Sequence, residues 1–358
     1  MSGRRRPGVG ARRSIVPRPS ALRPASAHPP SAGAGRGRVV IVSPALHDAN
    51  NGNWRSAHRW RQFLQPVLPT RIVRQWPDAE SDGDRAMIAL HARRSADAIA
   101  AWHATRSGQA LALLLTGTDV YRDIAADPVA RRSLDLARIL VVLQGRAPDA
   151  LPQEVCAKTR VITPSTTARQ VLAKSSRCLR AVMVGHLRAE KSPETLFAAA
   201  RLLAKDPGIR IDHIGEALAP ELADAARATM AAAPNYRWLG GLPHADVRRR
   251  IQRAHVLVHA SRMEGGAHTV MEAVVSGTPV VASRIPGNLG MLGADYAGYF
   301  DWGDAAALAA LLRRCQSRQR GDPLLETLAA QCRRRAPLFD PAAERAAVRR
   351  LASELLEP

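Results

Sequence analysis

Short apolar runs separated by amphipathic stretches recur along this chain from about residue 38 onward. Arg38-Val-Val-Ile-Val-Ser43 is β-branched and unbroken, as a strand buried on both faces must be. A polar loop, Pro44 to Asn53, follows it, and Trp54 to Gln65 predicts a helix. Further apolar runs at Leu68–Val73, Met87–Leu90, Leu111–Leu115 and Ile139–Leu143 alternate with helical stretches such as Ser95–Thr105. Strand alternating with helix is the signature of a parallel sheet covered on both faces.

Around residues 164–178 the apolar pattern lapses into Ser, Thr, Arg and Lys, which predicts a domain boundary. A second alternation then begins. Strands are expected at Leu179–Val184, Ile209–Ile214, Tyr236–Leu239, Val256–His259 and Val280–Ala282. Helices are expected from Ser192-Pro-Glu, where Ser192 offers an N-cap and Pro193 the first helical position, and at Pro220–Ala232, Ala245–Arg253 and Thr269–Val275. Asp304 caps a further helix to about Arg314, and Pro341 to Leu356 is a helix able to return across the first domain. The expected organisation is a basic tail (1–38), a first doubly wound domain (39–165), a second (178–335) and a C-terminal helix (336–358). Two such domains facing each other leave a ligand cleft at the carboxyl ends of both sheets.

Composition changes this picture only at its edges. No apolar run approaches the ~20 residues of a membrane span, so no stable membrane insertion is expected. The basic N-terminus lacks the apolar core of a secretory signal, and four scattered cysteines without CxxC spacing read as reduced thiols in a cytoplasmic protein. The formal charge is +21. Its basic residues are spread along the chain, and aromatic residues are only 4%, too few for stacking platforms, so nucleic acid is not the expected partner. The acids of Asp82-Gly-Asp84 sit in a polar loop where carboxylates are ordinary, and no metal is expected there or elsewhere. Oligomeric state is not legible.

Candidate chemistry concentrates between Glu264 and Glu272, two carboxylates with seven residues between them across a strand-to-helix turn. The Gly265-Gly266 pair lets a phosphate approach backbone N–H groups at the turn. Glu272 lies more than a turn into the helix and its side chain leans back toward the N-terminus. There it can accept from two neighbouring hydroxyls, such as those of a ribose, while Glu264 meets a second polar group. Val184-Gly-His-Leu-Arg-Ala-Glu-Lys191 opens the second domain and brings Arg188 and Lys191 toward the same crevice, where cations stabilise a departing diphosphate.

Residues 182–191 and 236–312 resemble the nucleotide-sugar half of the large retaining glycosyltransferase family that includes sucrose synthases. The resemblance is carried by Glu264 and Glu272, by Ser276-Gly277-Thr278-Pro279 and by Val280-Val-Ala-Ser283. It implies the two-domain GT-B fold, a first glutamate that attends the donor sugar, a second that holds the ribose, and Lys191 on the phosphates. Gly265, Gly266, Ala267, His268, Thr269 and His186 then fall in the donor site. His186 stands where the family usually has Arg, and Gly266-Ala267 where it usually has Phe-Gly.

Asn50-Asn-Gly-Asn-Trp-Arg-Ser56, Thr116-Gly-Thr-Asp-Val-Tyr-Arg-Asp123, Gly185-His-Leu-Arg188, Glu264-Gly-Gly-Ala267 and Ile285-Pro-Gly-Asn288 together resemble the selenosugar synthases of selenoneine biosynthesis. That resemblance implies a UDP-sugar donor (UDP-N-acetylglucosamine or UDP-glucose), selenophosphate as acceptor, and a new carbon–selenium bond, with no cofactor. Under it Gly52 lets backbone approach the donor, Asn53, Arg55, Thr118 and Arg122 bind the acceptor, and Asp119 orients it, joining Glu264, Lys191 and Arg188 as a catalytic group. The competing readings are a hexosyltransferase acting on a hydroxyl of a glycan or lipid, and a nucleotide-sugar-binding or nucleic-acid-binding protein without turnover.

Overall fold

The computed structural model describes residues 37–46, 52–106, 110–316 and 321–357. Most of the basic tail, and Asn50 and Asn51 of the first polar loop, lie outside the described residues.

Among the described residues the strands form two six-stranded, wholly parallel sheets. The first has the order β2-β1-β3-β4-β5-β6, from β1 (Arg38–Val42), β2 (Thr70–Val73), β3 (Asp84–Leu90), β4 (Leu111–Leu114), β5 (Ile139–Val142) and β6 (Thr159–Val161). The second has the order β12-β11-β10-β7-β8-β9, from β7 (Leu179–Val184), β8 (Ile209–Ile214), β9 (Tyr236–Trp238), β10 (Val256–His259), β11 (Val280–Ser283) and β12 (Tyr299–Phe300). Residues 162–178 between the sheets form neither helix nor strand. Helices α1 (Gly52–Leu64), α2 (Ala96–Arg106), α3 (Ile124–Ala126) and α4 (Pro128–Leu136) belong to the first domain. Helices α5 (Pro193–Leu202), α6 (Pro220–Ala232), α7 (His244–Arg253), α8 (His268–Val274), α9 (Pro286–Leu292), α10 (Ala305–Gln316) and α11 (Leu324–Arg335) belong to the second.

The period of two along each strand sorts its side chains onto two faces. In the first sheet Val40, Val42, Met87, Ala89, Leu111 and Leu113 join Ile99 and Trp102 of α2 and Leu134 of α4 in one cluster. Val39, Ile41, Ile88, Leu90, Ala112 and Leu114 join Trp60 and Leu64 of α1 in the other. That second cluster also contains Val348, Leu351, Ala352 and Leu355 of the last helix, α12 (Pro341–Leu356). The C-terminal helix is therefore part of the first domain's core. Each such aliphatic side chain contributes roughly 1.5–3 kcal/mol on burial.

One carboxylate fixes that return crossing. Glu344 of α12 accepts from Arg59 Nε at 2.7 Å and Nη2 at 3.0 Å, from Trp60 Nε1 at 2.8 Å, and from Ser165 N at 2.7 Å and Oγ at 2.5 Å. It thus joins α12, α1 and the interdomain segment.

Several elements differ from expectation. β6 and β12 are short strands, of three and two residues, too brief to show a period. Helices α9 and α11 carry weak helical signals in the sequence, because α9 has two internal glycines and α11 ends in three arginines. Ser192 does not cap α5: its φ of 47° is left-handed, and its hydroxyl instead accepts from Trp302 Nε1 at 2.7 Å. Trp302 itself is exposed, with the Arg262 guanidinium 5.0 Å from its ring centre. Asp84 of the Asp82-Gly-Asp84 loop is fully buried and accepts from Arg38, Arg71 and Trp76, a structural ion-pair hub.

Candidate functional site

The carboxyl ends of the two sheets meet, and glycines set how closely. A Cβ placed on Gly117, after β4, would lie 2.6 Å from the Gly265 nitrogen, after β10. One placed on Gly265 would lie 2.7 Å from the Gly117 nitrogen. Backbone packs on backbone here, which only glycine allows. A Cβ on Gly52, at the start of α1, would stand 3.6 Å from His268 Nδ1 at the start of α8. The candidate donor loop of the second domain thus faces the loops after β1 and β4 of the first.

Within this junction, two carboxylates share one habit. Glu264 uses a single oxygen, Oε1, for all its protein contacts: the Lys191 ammonium, Ser261 Oγ at 2.8 Å and His259 Nε2 at 3.5 Å. Burial disfavours its charge, but Lys191 and then His259 outweigh burial and hold the carboxyl well below the usual carboxylate range. Glu272, only 2% exposed, likewise uses Oε1, which meets His244 Nε2 at 2.7 Å and Arg55 Nη1 at 3.4 Å. Among the described residues neither Oε2 accepts a hydrogen bond. An ionised carboxylate has about four acceptor positions, so each glutamate keeps acceptor capacity for a ligand.

The remaining cations divide between two ends of the junction. At one, Arg122 of the first domain reaches Glu190 Oε1 of the second at 3.2 Å, and Arg188 Nε lies 4.0 Å from Glu190 Oε2. Its bond to Asp123, at 2.9 Å, raises the Arg122 pKa first, and Glu190 adds to it. Lys191 lies against Gly185, whose missing Cβ would sit 3.3 Å from Lys191 Cδ. At the other end, Arg59 Nη1 lies 3.4 Å from His268 Nε2. Burial, then Arg59 and Arg55, push His268 well below the ordinary histidine range, so it is neutral near pH 7.

The structure brings Lys191, Glu264, Gly265, Gly266, Ala267, His268, Thr269 and Gly52 into one junction, but it redistributes several expected roles. Asp119 is fully buried; Oδ1 accepts from Thr116 N at 2.7 Å and Thr116 Oγ1 at 2.8 Å, and Oδ2 from Ala92 N at 3.0 Å. Buried among these first-domain donors, it shapes the loop that carries Gly117 and is not exposed to the junction. Arg55 stands on Glu272, and not with Thr118 and Arg122. Burial lowers its pKa, and Glu272 opposes that. Asn53 shares the first turn of α1 with Gly52. Thr118 Oγ1 pairs with His91 Nε2 at 3.0 Å, and His91 is buried with a left-handed φ of 75°. His186 Nδ1 accepts from Glu216 N at 3.2 Å, and burial lowers its pKa.

No sequence motif marks His244, His259, Ser261, Arg59 or Glu190. Each meets a candidate residue through the fold, and only Ser261 and His259 are near Glu264 in sequence. No group of three or more His, Cys, Asp or Glu among the described residues could hold a metal ion. No helix among them is long and apolar enough to cross a membrane.

Two doubly wound parallel-sheet domains meeting at their strand ends, with α12 returning to the first, define the GT-B architecture. The family model for group 1 glycosyl transferases matches residues 164–335, a stretch that takes in the second domain. The D-inositol 3-phosphate glycosyltransferase of Segniliparus rotundus is 31% identical over 109 residues, which span 29% of this chain and 24% of that relative. Among solved structures, the sucrose-phosphate synthase of Thermosynechococcus elongatus superposes with a TM-score of 0.72 at 17% identity, over 89% of this chain and 99% of that one. Anabaena HepE in complex with UDP-glucose gives 0.66 at 14% identity, over 89% and 100%. The pneumococcal O-GlcNAc transferase GtfA in complex with UDP and GlcNAc gives 0.59 at 20%, over 76% and 58%. These likenesses establish the fold.

Proposed function

We propose that this chain is a glycosyltransferase that uses a UDP-sugar, and that its acceptor is selenophosphate. The observation that carries the first part is the matched pair of glutamates, each spending Oε1 on the protein and keeping Oε2 for a ligand in the interdomain junction. The family match of the second domain and the GT-B neighbours crystallised with UDP or UDP-glucose support it. The acceptor rests on the resemblance of the loops at 50–56 and 116–123. Of their basic residues, Arg122 stands beside Glu190 at the junction and suits an anionic acceptor, whereas Arg55 turns to Glu272.

In this reading Glu272 Oε2 accepts from the ribose hydroxyls, with His244 and Arg55 steadying Oε1. Lys191 and Arg188 face the diphosphate. Lys191 is thus shared between the leaving group and Glu264, whose Oε2 contacts the sugar. A cation placed on the leaving phosphate contributes about 3 kcal/mol in the transition state. Selenium of selenophosphate supplies the electron pair that forms the bond to the anomeric carbon. The bond from that carbon to the β-phosphate oxygen breaks, and UDP departs with its electrons. Water then cleaves the phosphorus–selenium bond, giving phosphate and the selenol. The close Gly117–Gly265 approach limits the entry of water that would otherwise hydrolyse the donor.

The test is incubation with UDP-N-acetylglucosamine or UDP-glucose and selenophosphate made in situ, with mass spectrometry for a selenosugar and for UDP. Release of UDP with a selenium-containing sugar is expected. Transfer to a hydroxyl acceptor without any selenosugar would remove the acceptor assignment and leave the glycosyltransferase. Binding of UDP-sugar with no UDP release under any acceptor would remove both.

A further inference from the structure

The second domain carries a concavity of about 760 Å³ lined by seven arginines and two aspartates. Its lining comes from the interdomain segment, β7, β8, β9 and α7, and shares no residue with the Glu264–Glu272 site. We propose that it is a second binding site, for a small anion carrying two or more phosphate groups.

Exposed arginines on a chain this basic would ordinarily be solvated surface. Three features set these apart. First, they occupy strand positions. In a parallel sheet covered on both faces the strands are almost continuously apolar. Here Arg180 of β7 and Arg210 of β8 interrupt Leu179-Arg-Ala-Val and Ile209-Arg-Ile, and both are exposed. Second, Arg180 and Arg210 are register partners in the parallel ladder, on strands roughly 4.8 Å apart, so two guanidinium side chains stand side by side on one face. Like charges placed directly opposite destabilise a sheet. Third, the nearest carboxylates are already engaged. Asp212 accepts from Arg237 at 2.7 Å and from Arg250 at 3.1 Å, and Asp246 pairs with Arg249. Among the described residues, the side chains of Arg177, Arg180, Arg210 and Arg253 make no ion pair. Four uncompensated guanidinium groups from four different segments therefore edge one hollow.

The ligand class follows from the lining. Guanidinium forks match phosphate oxygens in pairs, and clustered forks favour an anion of several charges over a single carboxylate. The lining contains no aromatic residue, so there is no platform for a nucleobase. The volume is that of a small-molecule site, and a concave wall would leave its deeper groups out of reach of a flat bilayer.

The probe is sodium tripolyphosphate, titrated calorimetrically into the full chain at about 150 mM salt, where weak surface attraction is screened. One saturable site is expected. The double variant Arg180→Gln/Arg210→Gln loses charge-assisted bonds worth about tenfold in affinity per guanidinium, so roughly a hundredfold weaker binding is expected. With excess UDP present to occupy the interdomain junction, Lys191→Ala leaves tripolyphosphate binding unchanged. Should the double variant misfold by circular dichroism, Arg253→Gln at the exposed end of α7 is read instead, with about tenfold weakening expected. No saturable binding, or binding that survives these arginine changes, overturns the site. Loss with Lys191→Ala instead places the anion in the junction and also overturns it. A single-stranded oligonucleotide or phosphatidylserine vesicle that binds more tightly than tripolyphosphate through the same arginines overturns the small-anion class.

Discussion

Glu272→Ala isolates one carboxylate at the site. The side chain is 2% exposed, Oε1 is held by His244 and Arg55, and Oε2 accepts from no described residue. If Oε2 takes the ribose hydroxyls, the variant loses a charge-assisted interaction of about 2 kcal/mol, or roughly thirtyfold in the Kd for UDP. Calorimetry with UDP and with 2′-deoxy-UDP separates this from general damage. The wild-type protein should bind the deoxy ligand more weakly than UDP, whereas the variant should bind the two alike, because the partner of the missing hydroxyl is gone. Arg55→Ala should also weaken UDP, though less, since it only steadies Oε1. A folded Glu272→Ala protein that still distinguishes the two ligands as the wild type does would refute the assignment of Oε2 to the ribose.

Glu344→Ala should cost about 4 kcal/mol, because it strands the Arg59 charge and leaves Trp60 and Ser165 unpaired; chemical denaturation reads the loss, and limited proteolysis should release α12 first. Gly117→Ala puts a methyl 2.6 Å from the Gly265 nitrogen, so the two loops must part, and kcat/KM should fall by about tenfold or more while the melting temperature moves little. His213 is fully buried, and burial holds its pKa down at about 4, against 6.5 for a free histidine. The unfolded chain therefore takes up this proton first, so stability should fall as pH drops from about 6.5 to about 4, by up to about 3 kcal/mol. His213→Gln should flatten that limb in urea titrations at pH 7 and pH 4.5; an unchanged slope would count against it.

The sequence alone determined the fold class and most elements. Short β-branched apolar runs read as strands buried on both faces, and their alternation with amphipathic stretches points to a doubly wound sheet. The spacing of Glu264 and Glu272 around a glycine pair marked the loop and helix of the candidate site. Tertiary structure decided which atoms meet. Asp119 looked available at a strand end, yet the backbone of Thr116 and Ala92 closes on it. The resemblance groups Arg55 with Arg122, yet α1 carries it to Glu272. His244 and Lys191 lie 28 and 73 residues from the glutamates they touch. Local pattern encodes which face of an element is buried, because period and polarity act over a few residues. Contacts across the junction depend on how two packed sheets approach, and close passages such as Gly117 against Gly265 fix that approach.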